Sequence, residues 1–527
     1  MLTLQNISYV HPDKNLLFNN VSLTVNNHEK IALIGKNGSG KSTLLQLAAG
    51  FLMPTEGKIY SSTPPYFVPQ MHGEYHDMTI GEVLKIDKKL HALKEILQGC
   101  GTVTSYQDLD DEWDIEERYH QALQYWQLPC FDFSMKLSSL SGGQKTKIFL
   151  AGISMHQPDV ILMDEPSNHL DEAARILLSN FILSANAAII LVSHDRTLLN
   201  QVNVIYEIHG QGLITYGGNY EFYKRQKEAE SNSLKQDLDS NEKELRKARD
   251  KEKEVLQRQQ KKDHRGKGKK EKEGVARIMM NTYRNNAEKS TSRLRNDHSE
   301  KIENILKERQ EIQKELQETP KMKFGFNQSF LHTGKVLLNA SNINYEYSGN
   351  PVWKNSLSFT IYSGERIALK GNNGSGKTTL IRLITGNATP LQGTIQRAEF
   401  TIVYIDQEYS IIEEHQTVYG LVWQFNDHLE EYEIKIRLNR FLFRKDDWNR
   451  PCSNLSGGEK MRLMLCCLNI RSQAPDMIIL DEPTNNLDIQ NIEVLTSAIL
   501  DYKGTLMVVC HDETFMQHLN LQRTIQL

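Results

Sequence analysis

A chain of 527 residues is too long for one hydrophobic core, so two to four domains are expected. With 62 Lys and Arg against 66 Asp and Glu, 39% hydrophobic residues and a net charge of −4, the composition is that of a soluble globular protein. Its longest apolar runs, such as Ala187–Val192, are strand-length, far short of the ~20 residues of a membrane span. The start, MLTLQNISYV, lacks the basic and apolar regions of a signal peptide. The six cysteines show no CxxC spacing, which favours free thiols in a reducing cytoplasm over disulfides or a metal.

The first strong element is an apolar strand running into Gly35–Ser42, GKNGSGKS, which fits G-x-x-x-x-G-K-[ST]. Glycines there let backbone N–H groups curl round phosphates, and the following helix presents its positive N-terminal end. The expected nucleotide-binding set is Gly35, Asn37, Gly38, Ser39, Gly40, Lys41, Ser42 and Thr43. Lys41 neutralises phosphate charge and Ser42 offers a hydroxyl to Mg²⁺. Further on, LSGGQ stands at 140–144, and the apolar strand at 160–163 ends in Asp164-Glu165. Burial of that strand delivers both carboxylates to the phosphate site, Asp164 toward Mg²⁺ and Glu165 toward the attacking water. One Asp-Glu after a strand is often only a surface pair.

From Lys224 to Glu318 the composition changes to a dense mixture of Lys, Arg, Glu and Gln. Leu234, Leu238 and Leu245 on one side, and Ile305, Ile312 and Leu316 on the other, keep helix-seam spacings. Two long antiparallel helices are predicted, each about 38 residues and ~57 Å, with a tip near 262–290 and a stop at Pro320. Residues 258–295 carry 13 basic and 4 acidic side chains, a charge of +9 in a chain of −4. A mixed charge run is usually a solvated helix surface. One-sided charge at a hairpin tip favours a polyanion, with Arg265, Lys267, Lys269, Lys270, Lys272, Arg277 and Arg284 as candidate RNA contacts.

The second half then repeats the first. GNNGSGKT at 371–378, LSGGE at 455–459 and Asp481-Glu482 after an apolar strand match the earlier motifs, and each Asp precedes a His by 30 positions. The second set is Gly371, Asn373, Gly374, Ser375, Gly376, Lys377, Thr378 and Thr379, with Asp481 and Glu482. A single phosphate loop matches by chance now and then; two, each between a strand and a helix, do not. The expected division is a cassette at 1–222, a basic helical linker at 223–330 and a second cassette at 331–527, all α/β with mostly parallel sheets.

Together, the two phosphate loops, LSGGQ and LSGGE, DEPSNHLD and DEPTNNLD, and the basic linker resemble the ABC-F family of ribosome-associated ATPases. The cassette likeness covers about four-fifths of the chain, whereas the linker likeness is one of position and character. The resemblance implies two ATP–Mg²⁺ sites in an intramolecular head-to-tail pair in a monomer. Loop 35–42 would face Ser456, Gly457 and Gly458, and loop 371–378 would face Ser141, Gly142 and Gly143. It gives Gln70 and Gln407 to Mg²⁺ and the γ-phosphate, and His194 and His511 to the γ-phosphate as catalytic switches. Alone, either histidine would more often be structural. Asp171 and Asp488 match the loop that links the sites. The aromatic that stacks on adenine is Tyr347 in the second copy, while the first has His11, with Tyr9 nearby. The second copy has Asn486 where the first has His169. The span from phosphate loop to signature is 21 residues longer in the first copy, room for a small helical insertion near 85–125.

By this resemblance the partners are the 70S ribosome, its 50S subunit, tRNA and rRNA. The role is either protection against antibiotics that target the 50S subunit or relief of stalled ribosomes. Two other classes compete. A transporter motor would need a membrane-spanning partner chain and leaves the basic linker without a task. A DNA-associated ABC ATPase would be expected to carry zinc CxxC modules or much longer coiled coils, although a +9 segment does not distinguish DNA from RNA.

Overall fold

The computed structural model describes residues 1–11, 14, 16–70, 73–270 (of 262–270 the backbone), 299–313, 331–347 and 349–527. The chain divides into two compact units, Met1–Tyr223 with Met322–Leu527, and Lys224–Lys321.

In the first unit the same α/β architecture is built twice. The first copy has a six-stranded sheet ordered Tyr66–Val68, Val160–Asp164, Ala188–Val192, Lys30–Gly35, Val204–His209 and Gly212–Tyr216. All neighbours are parallel except the last pair. The second copy has a five-stranded parallel sheet ordered Ile402–Ile405, Met477–Asp481, Thr505–Val509, Arg366–Lys370 and Arg523–Gln526. Parallel strands covered on both faces need unbroken apolar runs. Val160–Asp164 and Ala188–Val192 accordingly are buried at every position. Each copy adds a three-stranded antiparallel sheet, centred on Leu2–Val10 in the first and Val336–Asn344 in the second.

Three adjacent strands of each sheet end at one edge, where α/β sheets bind ligands. In the first copy these ends carry the loop after Gly35, the Asp164-Glu165 pair and the turn to His194. The insertion in the first copy forms helices Asp87–Leu97, Val103–Leu109 and Ile115–Tyr125. The comparable stretch of the second copy has one such helix, Glu431–Arg440.

The linker helix begins at Tyr220 and continues for 51 residues to Lys270. At 1.5 Å per residue it spans about 77 Å, longer than the ~57 Å expected. The helix starts four residues before Lys224 and runs on into the expected tip region, through Gly266 and Gly268. Each glycine costs roughly 1 kcal/mol relative to Ala, which the helix-favouring Lys and Gln around them partly offset. Within the second unit a further helical run at 299–313 lies beside this helix. Leu245 and Ile305 are buried, Arg309 meets Glu242 at 3.0 Å, and Asn241 donates to Glu308 at 3.4 Å. Leu234, Leu238 and Ile312 are half-buried, as the seam spacing requires. Arg265, Lys267, Lys269 and Lys270 lie on the first helix. Lys272, Arg277, Arg284, Leu316 and Pro320 lie outside the described residues.

Candidate functional site: two phosphate loops facing two signatures

The phosphate loops owe their shape to glycine. Gly40 and Gly376 sit at φ +94° and +91°, directly before helices Lys41–Ala48 and Lys377–Thr385. A Cβ on Gly376 would lie 2.4 Å from Val352, and one on Gly40 2.6 Å from Phe18. The loop must therefore pass closer to its neighbours than a side chain allows. Lys41 Nζ donates to the carbonyls of Gly35 and Lys36 at 2.8 and 3.1 Å, and Lys377 does the same to Gly371 and Asn372 at 2.8 and 3.3 Å. Ser39 Oγ and Ser375 Oγ are buried without a hydrogen-bond partner. Thr43 and Thr379 lie in the first turn of the loop helices, and Gly38 and Gly374 have open space where a Cβ would sit.

The acidic pairs have the same construction in both copies. Glu165 N–H donates to Val192 O and Glu482 N–H to Val509 O, each at 2.8 Å, so the residue after each strand end still belongs to the sheet. Both glutamates adopt left-handed backbone, φ 48° and 50°, which is uncommon for a non-glycine residue. Such a conformation costs about 1–3 kcal/mol and persists where the surroundings over-determine it. His194 Nε2 lies 3.3 Å from Glu165 Oε1, and His511 Nε2 3.3 Å from Glu482 Oε1.

Burial dominates the proton affinities here. It raises Glu165 to about 8, opposed by the Lys41 charge, and Glu482 to about 7, opposed by Arg175. His194 is pushed well below the ordinary imidazole value and His511 down to about 4, again mainly by burial. Each His–Glu contact thus joins a neutral imidazole to a carboxyl that takes up a proton near neutral pH, as suits a general base. Burial also lowers Lys41 and Lys377, countered by Glu165 at the first and Glu482 at the second.

Asp164 and Asp481 stand at the matching strand ends, both raised by burial. Asp164 is engaged by Ser42, yet its Oδ1 is buried without a hydrogen-bond partner. Asp481 instead accepts from Tyr404 Oη at 2.9 Å. A buried, unpaired carboxylate oxygen beside a hydroxyl and a lysine fits a hard divalent cation such as Mg²⁺, which prefers oxygen ligands.

The two copies meet head to tail. Asn37 Nδ2 donates to Asn486 O at 2.9 Å, and its backbone N–H to Asp488 Oδ2 at 3.2 Å. Asn373 Nδ2 donates to His169 O at 3.1 Å. A Cβ on Gly143 would be 3.5 Å from Asn373 Nδ2, and one on Gly457 3.3 Å from Asn486 O, the carbonyl of its own copy that accepts from Asn37. Each phosphate loop therefore borders the other copy's signature. Ser141 and Ser456 cap helices Gly142–His156 and Gly457–Ile470 through capping boxes with Gln144 and Glu459. The caps orient both helix N-termini, with Gly142 and Gly458 in their first turns.

Gln407 Nε2 reaches His169 Nδ1 at 3.5 Å, and Gln70 follows strand Tyr66–Val68. Tyr347 is half-exposed and its hydroxyl is 3.3 Å from Thr379 Oγ1, leaving ring surface beside the second loop helix. His11 is exposed at the end of strand Leu2–Val10.

Other neighbours complete the junction. His169 and Asn486 share left-handed backbone, φ 63° and 61°, a conformation in which both residue types are enriched. Arg175 pairs with Asp195 at 3.5 Å. Arg196 lies 3.7 Å from Glu493 of the other copy, with its guanidinium over the Tyr220 ring at 5.7 Å. No repeated motif contains these arginines.

Known proteins share this organisation. The ABC transporter family model matches residues 18–168 and 354–485. The putative ATP-binding protein YdiF of Bacillus subtilis is 32% identical, the match covering 95% of this chain and 76% of that protein. The ribosome protection protein VmlR of the same organism is 29% identical over 98% of this chain and 85% of its own. The crystal structure of an archaeal ribosome recycling factor, aABCE1, in complex with a ribosomal stalk protein has a TM-score of 0.58. It is 17% identical, the match covering 99% of this chain and 87% of that one, and so shares the fold. No described helix is long and apolar enough to cross a membrane.

Proposed function

This chain belongs to the ABC-F family of tandem ATP-binding cassette proteins, and on that premise we propose that it binds the ribosome in its ATP-closed state and acts on translation through its basic linker. It is an ATPase, forming ADP and phosphate from ATP and water. The observation that carries the proposal is the union of two features in one chain. Two cassettes pair within one compact unit, and a 51-residue helix leaves the first of them toward a +9 segment. In this reading 1–222 and 331–527 are the cassettes, 223–330 is the linker, and the protein works as a cytoplasmic monomer.

Each nucleotide lies between one phosphate loop and the opposite signature. Loop amides and Lys41 or Lys377 hold the phosphates, while Ser141 or Ser456, with the glycine amides beside it, grips the γ-phosphate from the far side. Tyr347 stacks on adenine at the second site. Ser42, Gln70 and Asp164 would hold Mg²⁺ at the first site, and Thr378, Gln407 and Asp481 at the second. Such a cation would supply positive charge that offsets the phosphate charge during transfer to water. Glu165 and Glu482 draw a proton from the attacking water, and His194 and His511, held neutral by burial, touch the γ-phosphate. Hydrolysis removes the anion shared by the two faces and lets the cassettes part.

The linker end carries lysine and arginine to tRNA and rRNA near the peptidyl-transferase centre. VmlR is named a ribosome protection protein, which supports drug protection as the outcome. Relief of stalled ribosomes uses the same contacts.

The test uses the Glu165→Gln, Glu482→Gln double variant sedimented through sucrose with 70S ribosomes, with and without ATP. A second version also has the basic residues of 261–272 neutralised. ATP-dependent co-sedimentation that weakens with the neutral linker is the expected result. No association at moderate salt with ATP present would refute the ribosome reading. Growth and in vitro translation with 50S-directed drugs then separate protection from stall relief.

A further inference from the structure

The two nucleotide sites match in most of their residues, but not in what supports the strand-end aspartate. In the second copy Tyr404 pairs with Ile479 in the sheet register, and its hydroxyl donates to Asp481 Oδ2 at 2.9 Å. In the first copy Phe67 occupies the equivalent register position, paired with Leu162, and is likewise three residues before the glutamine. Phe67 has no hydroxyl. Its ring packs edge-on against Phe51 at 5.4 Å, and Asp164 Oδ1 is buried without a partner.

The contact that Asp164 does have comes from Ser42, itself a member of the proposed cation-binding set. When Ser42 turns its oxygen to a cation, that support is shared or lost. Tyr404 lies outside the set and can keep its bond to one carboxylate oxygen while the other faces the cation. Groups that orient a ligand from behind typically contribute 10–100-fold to metal affinity.

We propose that Tyr404 is a positioning residue for Asp481, and that it makes the two nucleotide sites unequal, the second holding its divalent cation more tightly than the first. This inference rests on the reading of Asp481 as a cation-holding carboxylate. The inequality gives the sites an order. At limiting divalent cation the second site fills first, although both keep the full set of catalytic residue types.

The test is a Mn²⁺ titration of the full-length protein, followed by electron paramagnetic resonance, with a non-hydrolysable ATP analogue present throughout. The unchanged protein is expected to bind two Mn²⁺ with different affinities. Tyr404→Phe, which removes only the hydroxyl, should weaken the tighter site by about tenfold and leave the other unchanged. Asp481→Asn should abolish the tighter site. If Asp481→Asn leaves both sites intact, the cation reading of Asp481 falls and this inference with it. If Asp481→Asn removes the site but Tyr404→Phe leaves its affinity unaltered, or weakens both sites equally, the positioning role is refuted while the cation reading stands.

Discussion

Removing the side-chain amides of Asn37 and Asn373 should weaken cassette closure without dismantling either phosphate loop. Both asparagines lie in the GxxxxGK stretch and would ordinarily be assigned to nucleotide. Their amides instead cross the junction, to Asn486 O at 2.9 Å and His169 O at 3.1 Å. Each bond is partly solvent-exposed, so its net worth is about 0.5–1 kcal/mol. The two lie at separate sites and should add, giving about 1–2 kcal/mol, or roughly 5–30-fold in the closure equilibrium. Asn37 keeps its backbone bond to Asp488 in the alanine variant, so the loop itself should survive. The assay is ATP-dependent closure in the Glu165→Gln, Glu482→Gln background, read by energy transfer between dyes on the two cassettes. The Asn37→Ala, Asn373→Ala variant should need ~5–30-fold more ATP for half-closure, with each single variant intermediate. An unchanged half-closure concentration in the double-alanine protein would refute the assignment of these side chains to the junction.

Glu165 and Glu482 take up protons near neutrality, so activity should rise with pH as each carboxyl ionises. The acid limb of Glu482→Gln, governed by Glu165 at about 8, should lie above that of Glu165→Gln, governed by Glu482 at about 7, in steady-state pH–rate profiles. Gly376→Ala places a Cβ 2.4 Å from Val352 at φ +91°. It should cost about 1–3 kcal/mol, seen as a lower Tm, and abolish ATP binding at the second site in equilibrium dialysis. Leu245→Ala, at a buried position of the linker seam, should cost about 2–4 kcal/mol and speed amide exchange in both helical runs of the linker. Neutralising the basic residues of 261–272 should flatten the salt dependence of ribosome binding, measured by sedimentation across a KCl series.

What could be read in advance follows from where the physical constraint lies. A phosphate loop, a capped signature helix and an apolar strand ending in Asp-Glu are local designs, each constrained by its own few residues. Their repetition in order made the two-cassette fold and most of the site legible. The linker seam was legible for the same reason, because Leu245 and Ile305 keep helical spacing. Its length was not, since the charge run placed the tip from about 262 and the helix continues to Lys270. Tyr404 and Phe67 differ by one oxygen within apolar strands, and only the register onto Ile479 and Leu162 shows that they share a place. Arg175 and Arg196 belong to no motif, and their partners Asp195 and Glu493 are remote in sequence or in the other copy.

Arg196 joins two events that would otherwise be separate. Its guanidinium spans Glu493 of the second cassette and the ring of Tyr220, the residue from which the linker helix starts. In the repeated frame Ile176 stands in place of Glu493 and Glu513 in place of Arg196, so this bridge has no twin on the other side of the junction. Energetic coupling is reciprocal. Tyr220→Ala is therefore expected to loosen Arg196 and weaken its grip on Glu493, read as a higher ATP concentration for half-closure. With Glu493 more than half exposed, that exchange is worth at most about 1 kcal/mol, roughly fivefold. The root of the linker helix thus shares one guanidinium with the junction between the cassettes.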